Sequence, residues 1–441
     1  MTTSAEMASR KFYEYLLKVR AYFLGNFSSS ELGYVVFPFL KIFKLFGFMP
    51  IRLDQSYLFN ERSKMVWDLW AILWSFLGSV IYVGGFVMGV CHIASSKGIE
   101  RLHEYIVIAY FTTWGQLLSL FILGGFGVLH NWLNMQQLQL LLSRIARIDE
   151  QLDRATGRAV NYACMRKKLL MQFVVVFVLT ASMSMINCII IYSDSDNLIF
   201  SSSCFWFVCF FPILLLTFKE FQFYNMIFLV KSKFEIINEE LTRYGSNSQS
   251  QRDRMPNDLL EIFPKSKCSE DDLKQLLHIY VNLSDCVDLL LRIFAWHLVS
   301  LTSVSFGVIT IQGYNLFAAL IVRVLHMSSY HLTVTIGWIF LQIGVICINV
   351  SVCSATDRAM SLTGPLLHRI TASNNSVDLA FNQIIQIFSM EVVQRRNSFT
   401  AAGFFNMDYK LITSIIAAVT TYLLIIIQFH TSMGNPIVPS V

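Results

Sequence analysis

Seven stretches of about 20 mostly apolar residues decide what this chain can become. They run over 67–90, 105–129, 169–192, 205–230, 293–316, 332–354 and 409–429. Hydrocarbon offers no water to backbone N–H and C=O groups, so each stretch must satisfy them internally, as a helix. Only 14% of the 441 residues are charged and 55% are hydrophobic, too little charged surface for a soluble chain of this size. The reading is an all-α membrane protein with seven transmembrane helices.

The segments between the spans say which way the helices run. Of the 34 Lys and Arg, 30 fall in 1–66, 130–168, 231–292 and 355–410, whereas the segments on the opposite side hold 3 and Lys219 lies inside the fourth span. Basic residues stay on the cytoplasmic side, so the N-terminus is expected inside and the C-terminus outside. That orientation weighs against a G-protein-coupled receptor, whose N-terminus faces outward. The third span also lacks an acidic-Arg pair and the last lacks an NPxxY-like stretch. No cleavable signal peptide is expected, because residues 1–30 hold no 7–15-residue apolar core followed by a small-residue cleavage site.

The chain then divides into a cytoplasmic region at 1–66, four spans over 67–230, a cytoplasmic segment at 231–292, two spans over 293–354, a cytoplasmic segment at 355–408, a last span at 409–429 and an outer tail at 430–441. Within the first region, ELGYVVFPFLKIFKLFGFMP (31–50) mixes Lys41 and Lys44 with aromatics and reads as an interfacial helix, or one packed on the bundle. Leu138, Leu141, Leu142, Ile145 and Ile148 recur at helical spacing within 130–168, and 271–292 reads as a helix running into the fifth span. Polar, Pro-containing 243–270 reads as a loop. These amphipathic helices pack on one another or cap their own bundle. The sequons at Asn26, Asn282, Asn349 and Asn374 fall in the cytoplasm or in a span, so no glycosylation is expected.

Nothing in the sequence points to catalysis. There is no HExxH, GxSxG or P-loop and no paired carboxylate in a span, so no enzyme, cofactor or nucleic-acid partner is expected. The nine Cys form no CxxC or metal-ligand spacing and read as packing residues; Cys188 and Cys204 flank one short outer loop, where a disulfide is open to them. A secondary transporter would show internal repeats and Gly/Pro-broken helices at mid-membrane, and no half-to-half symmetry is visible.

The last span, YKLITSIIAAVTTYLLIIIQF, carries a stripe. Lys410, Ser414, Ala417, Thr421, Ile425 and Gln428 share one face, while Ile412, Ile415, Ile416, Val419, Ile426 and Ile427 take the others. Small and hydroxyl residues let helices approach closely inside one bundle. Alternatively the face lines a pore shared by several subunits, with Gln428 a hydrated ring and Phe429 an apolar constriction.

TYLLIIIQF (421–429) resembles the Thr-Tyr, five-hydrophobic, Gln-Phe signature near the C-terminus of insect gustatory receptors. Upstream, FTAAGFFNMD (399–408) is similar to that family's Phe-Thr-Ala-(Cys/Ala)-Gly-hydrophobic-Phe stretch followed by Asp, and GFMP (47–50), length and topology agree. The resemblance is specific over 355–430 and architectural elsewhere. It implies a ligand-gated cation channel of four subunits, a homotetramer or a heterotetramer with other gustatory receptors, in the plasma membrane of gustatory neuron dendrites. It also implies a last helix split into a cytoplasmic part near 378–393 and a pore-lining part at 409–429, broken between Arg395–Asn397 and Gly403. By motif match Gln428 and Phe429 are gate residues, Ile425 and Thr421 line the pore, and Thr421 and Tyr422 link its helix to neighbours. Sugar receptors of the family tend to carry Glu after Thr-Tyr; Leu423 stands there, pointing to bitter or other non-sugar tastants, with a sugar sensor as the alternative.

The family's ligands enter an outer-half pocket among spans two to six. Candidates at that depth are Trp114, Gln116, Asn187, Trp206, Gln312, Tyr314, Trp338 and Gln342, although Trp and Tyr also form the interfacial belt of any membrane protein. His331 reads as an outer, solvated residue. Lys219 and Glu220 are adjacent inside span four, so they cannot face each other and are expected to have separate partners or to snorkel.

Overall fold

The computed structural model describes residues 31–45, 69–95, 121–122, 124–157, 162–192, 211–253, 269–317, 329–373, 379–395 and 399–433, with single positions at 118 and 320. In chain order the helices are α1 (Glu31–Leu45), α2 (Leu69–Ser95), α3 (Met135–Thr156), α4 (Tyr162–Tyr192), α5 (Phe211–Asp253), α6 (Glu270–Phe317), α7 (Ser329–Ser373), α8 (Leu379–Gln394) and α9 (Tyr409–Met433). A helical run at 124–133 leads into α3. Among the described residues α2, α4, α5, α6, α7 and α9 are long and apolar enough to cross a membrane. Most of the second expected span, 105–129, lies outside the described residues.

Helices α5, α6 and α7 are longer than a bilayer requires. At 43, 48 and 45 residues they measure roughly 65–72 Å at about 1.5 Å per residue, against an apolar core of about 30 Å. They run on past the expected spans, at the end of the bundle rich in Lys and Arg. What carries them there is packing: Phe234, Ile237 and Leu241 of α5, Leu276, Ile279 and Leu283 of α6, and Met360, Leu367 and Ile370 of α7 are all buried in one core. The Phe234 ring meets Tyr280 edge-on at 5.5 Å, and Tyr280 meets Phe388 of α8 at 5.4 Å. The stretch 243–270, expected to be a loop, is helical through Asp253. Its early residues lie against α7, where the Gly245 Cα faces Arg369 and Ile370 closely enough that an added Cβ would touch both.

The start of α6 is written in its sequence. Ser269 accepts from the Asp271 N–H at 3.3 Å and its own N–H donates to Asp272 at 3.0 Å, a reciprocal cap, and Glu270, Asp271 and Asp272 set negative charge against the positive end of the helix dipole. Helix α3 lays Leu138, Leu141, Leu142, Ile145 and Ile148 on α6 and closes at Gly157, whose φ of 61° only glycine adopts freely. Helix α1 is packed on the bundle rather than lying free at an interface: Phe39 stacks edge-on against Phe221 and Phe173, at 5.0 and 6.1 Å.

Polar side chains pin these helices at fixed registers. Asn238 of α5 donates to the Ala359 carbonyl at 2.7 Å and accepts from Thr363 of α7 at 2.8 Å. Lys219 and Glu220 do take separate partners: Lys219 donates to Asn131 at 2.6 Å and Gln222 at 3.3 Å and sits over the Phe294 ring, while Asn349 of α7 donates to Glu220 at 3.0 Å. Fully buried Lys233 pairs with Asp149 of α3 and donates to Tyr162 of α4, whose hydroxyl donates to the other Asp149 oxygen at 2.5 Å. One charge pair therefore clasps three helices.

Of the sequons, Asn349 is buried against Glu220, Asn282 is half-buried in α6, and Asn26 and Asn374 lie outside the described residues. Cys204 and residues 434–441 of the outer tail also lie outside them, α9 continuing through the first tail residues to Met433, and the Cys188 and His331 side chains are likewise not among those described.

Breaking a buried pair strands a charge, at a cost of about 3–5 kcal/mol, whereas replacing both partners by apolar groups is often neutral. Lys233→Met is expected to lower the thermal unfolding midpoint of the detergent-purified chain sharply. Adding Asp149→Leu to it recovers much of the loss. Equal losses in the two variants would show that the clasp holds little.

Candidate pore helix and its supports

The junction before α9 is a small hairpin inside an otherwise helical protein. Helix α8 ends at Gln394, and the Arg395 guanidinium donates to Asp285 of α6 at 2.5 Å and to Glu391 at 2.7 Å. Those carboxylates, Glu391 first, hold Arg395 above its ordinary pKa. Strands β1 (Thr400–Ala401) and β2 (Phe405–Asn406) then pair antiparallel, with Thr400 opposite Asn406. The Met407 N–H extends the ladder to the Phe399 carbonyl at 2.7 Å. The turn needs positive φ at Ala402 (49°) and Gly403 (79°), costly for any residue with a Cβ. Beneath it Phe399, Ala401 and Met407 are buried, and β1 lies along α6. The expected break is therefore an anchored turn.

Asp408 starts α9. One carboxylate oxygen accepts from the Lys410 N–H at 2.9 Å and from the Leu411 N–H at 3.2 Å, capping the first turn. From there α9 rests on α6 and α7 by a narrow edge: Leu411 and Val419 are buried, with Ile412, Ile415 and Leu423 packed against the core. Leu423 lies over Gly313 of α6, where an added Cβ would stand 3.1 Å from a Leu423 methyl. Tyr422 packs edge-on against Phe306 of α6 at 5.6 Å.

The rest of the helix is open. Only 11% of the Tyr409–Phe429 window is buried, against 72% for the corresponding window of α5. Ser414, Ala417, Thr421, Ile425, Gln428 and Phe429 are all exposed in the protomer. The Ser414, Thr420 and Thr421 hydroxyls each donate to a carbonyl four residues back, at 2.8–3.0 Å. Such hydroxyls are satisfied within the helix and can face either lipid or water.

The expected ligand residues are only partly brought together. Gln342 of α7 accepts from Ser305 of α6 at 2.8 Å, so it already serves as a helix link. Tyr314 and Trp338 are buried and Gln312 is half-buried. Beside Trp338, Gly337 admits Met183 of α4 so closely that a Cβ there would fall 2.7 Å from its methyl carbon. Trp114, Gln116 and Trp206 lie outside the described residues, as does the side chain of Asn187. Sequence reasoning missed Asn131, Gln222 and His297, which surround Lys219. Their only signal was polarity inside apolar runs.

Long apolar helices around a buried core, with a final helix held by one edge, define a multi-pass helical membrane protein. Residues 36–433 match the 7tm chemosensory receptor family, and the chain belongs to it. Members are chemosensory receptors rather than enzymes. The chain is 30% identical to gustatory and pheromone receptor 32a of Drosophila melanogaster over 222 residues, which are 46% of this chain and 44% of that one. It is 21% identical to gustatory receptor 28b of the same fly over 385 residues, 80% of this chain and 79% of that one. The chain thus spans less than half the length of the first of these relatives. Its fold is similar to that of olfactory receptor OR5 from Machilis hrabei in complex with eugenol, with a TM-score of 0.62 at 12% identity over 91% of this chain and 100% of that one.

Removing the cap should loosen only the start of α9. Asp408→Ala is expected to cost about 1 kcal/mol and to speed amide exchange at 409–412, with Asp408→Asn near wild type. Unchanged exchange in the Ala variant would mean that packing alone holds the junction.

Proposed function

We propose that this chain is a tastant-gated cation channel in which the outer part of α9, contributed by each of four copies, lines a shared pore. The observation that carries the reading is the exposure of α9. A spanning helix that leaves Ser414, Ala417, Thr421 and Gln428 uncovered along one face has most to gain from meeting copies of itself around water, because a glutamine amide is costly in hydrocarbon. Gln428 then forms a hydrated ring and Phe429 the apolar constriction beneath or beside it, with Ile425 and Thr421 further along the same wall. Tyr422 and Leu423 hold the wall to α6.

The four copies are either identical or include other gustatory receptors, in the plasma membrane of gustatory neuron dendrites with the N-terminus inside. The 30:3 division of basic residues supports that orientation. The ligand is a small non-sugar tastant, bitter or otherwise hydrophobic. Leu423 supports this choice, since its side chain makes apolar contact over Gly313 where a carboxylate would be stranded. A sugar pocket also needs many fixed hydrogen-bond partners, and Gln342 is already engaged with Ser305. Tyr314, Trp338 and Gln312, with Trp114, Gln116, Asn187 and Trp206, remain the proposed lining. Eugenol, bound by the olfactory receptor of similar fold, is a ligand of that small aromatic kind.

Whole-cell currents under a broad tastant panel test the reading, wild type beside Gln428→Ala and Phe429→Ala. The expected result is a tastant-evoked cation current whose permeability ratios shift in Gln428→Ala and whose basal leak rises in Phe429→Ala. Identical currents in all three would remove α9 from the pore wall.

A further inference from the structure

Behind α9, on the side away from the proposed pore, the three helices α6, α7 and α9 do not close on one another. They leave a cavity of about 150 Å³ lined by Ile309 of α6, Ile346 and Cys347 of α7, and Ile412, Ile415 and Val419 of α9. The Thr420 hydroxyl at its edge is already bonded to the Ile416 carbonyl, so the lining offers water almost no partner. Ile343 and Ile416, both exposed, stand at the mouth on the flank of the bundle.

An apolar space of this size does not hold water, which needs 2–4 polar partners, yet a dry aliphatic cavity of about 150 Å³ accommodates a molecule as large as benzene. We infer that this cavity is a binding site for a small, uncharged, apolar molecule of about benzene size, separate from the outer-half pocket proposed above. Several observations converge on that class. The lining is aliphatic, with the Cys347 thiol its softest group, so no ion or hydrogen-bonding ligand is served. The cavity lies within apolar spans, so the ligand arrives by partition from the hydrocarbon phase. Five of its lining residues belong to α9, whose attachment to the bundle is otherwise a narrow edge at Leu411, Val419 and Leu423. An occupant adds contacts to that edge.

Binding itself does not depend on the channel reading. Only the consequence does: filling the space behind α9 changes tastant-evoked current if α9 is the pore wall.

The full chain in lipid nanodiscs, with labelled benzene at equilibrium and protein-free nanodiscs subtracted, tests the site. The expected result is saturable binding of about one benzene per protomer, lost in Val419→Phe and in Ile346→Phe, whose rings fill the space. Two variants on different helices are used, each checked for an unchanged size-exclusion profile, so that a single misfolded variant does not decide the matter. Absence of saturable excess in the wild type overturns the proposal, and that includes the case in which a lipid tail already occupies the space. Saturable binding unaffected by both substitutions overturns it too, because the benzene is then elsewhere. Benzene binding that follows these expectations without altering current counts against the pore reading and leaves the site standing.

Discussion

The pairing of α5 with α7 along their common length is what the remaining helices build on. Hydrocarbon between helices gives no hydrophobic reward for association, so packing shape and hydrogen bonds must hold the register. Here two asparagines do so from opposite helices: Asn349 of α7 reaches Glu220 of α5, and Asn238 of α5 reaches the Ala359 carbonyl and Thr363 of α7. With that register set, α6 completes a three-helix core through Tyr280 and Phe294, α8 docks through Phe388, and α3 through its leucine face. Helix α9 joins this frame along one edge, on α6 and α7.

The two ends of α9 are held differently. The basic end is rigid, with Lys233, Asp149 and Tyr162 buried together and Arg395 bridging α8 to α6. The hairpin passes this rigidity to α9 at one point, where Phe399 and Met407 are buried and Asp408 caps the helix. Beyond the cap α9 is held by an edge, with a dry cavity behind it and an open face in front. On the channel reading proposed above, this is the element that would move against the frame to open the pore.

Much of this was legible in the sequence, for definite reasons. Spans are fixed by length and apolarity, and the face of α9 by its period, so Ser414, Thr421 and Gln428 emerge together as exposed positions. The adjacency of Lys219 and Glu220 left separate partners or snorkelling, and the structure gives separate partners. Helix ends were not legible: α5 continues through polar residues to Asp253 because α7 supports its earlier turns, and that support is tertiary. Nor were the polar clasps, whose members stand 88 residues apart for Lys219 and Asn131 and 129 apart for Glu220 and Asn349. The ligand set was the least legible, because polarity and aromaticity at a given depth do not distinguish a lining residue from a helix link. Gln342, bonded to Ser305, is the example.

The most direct measurement of the central idea is substituted-cysteine accessibility along α9 in the assembled protein, using a small charged thiol reagent that does not enter lipid. If the open face of α9 meets water at the centre of an assembly, Cys at 414, 417, 421 and 428 reacts with a helical period while Cys at 412, 415 and 419 stays protected. Uniform protection at 414, 417, 421 and 428 would place that face in lipid or protein and contradict the account.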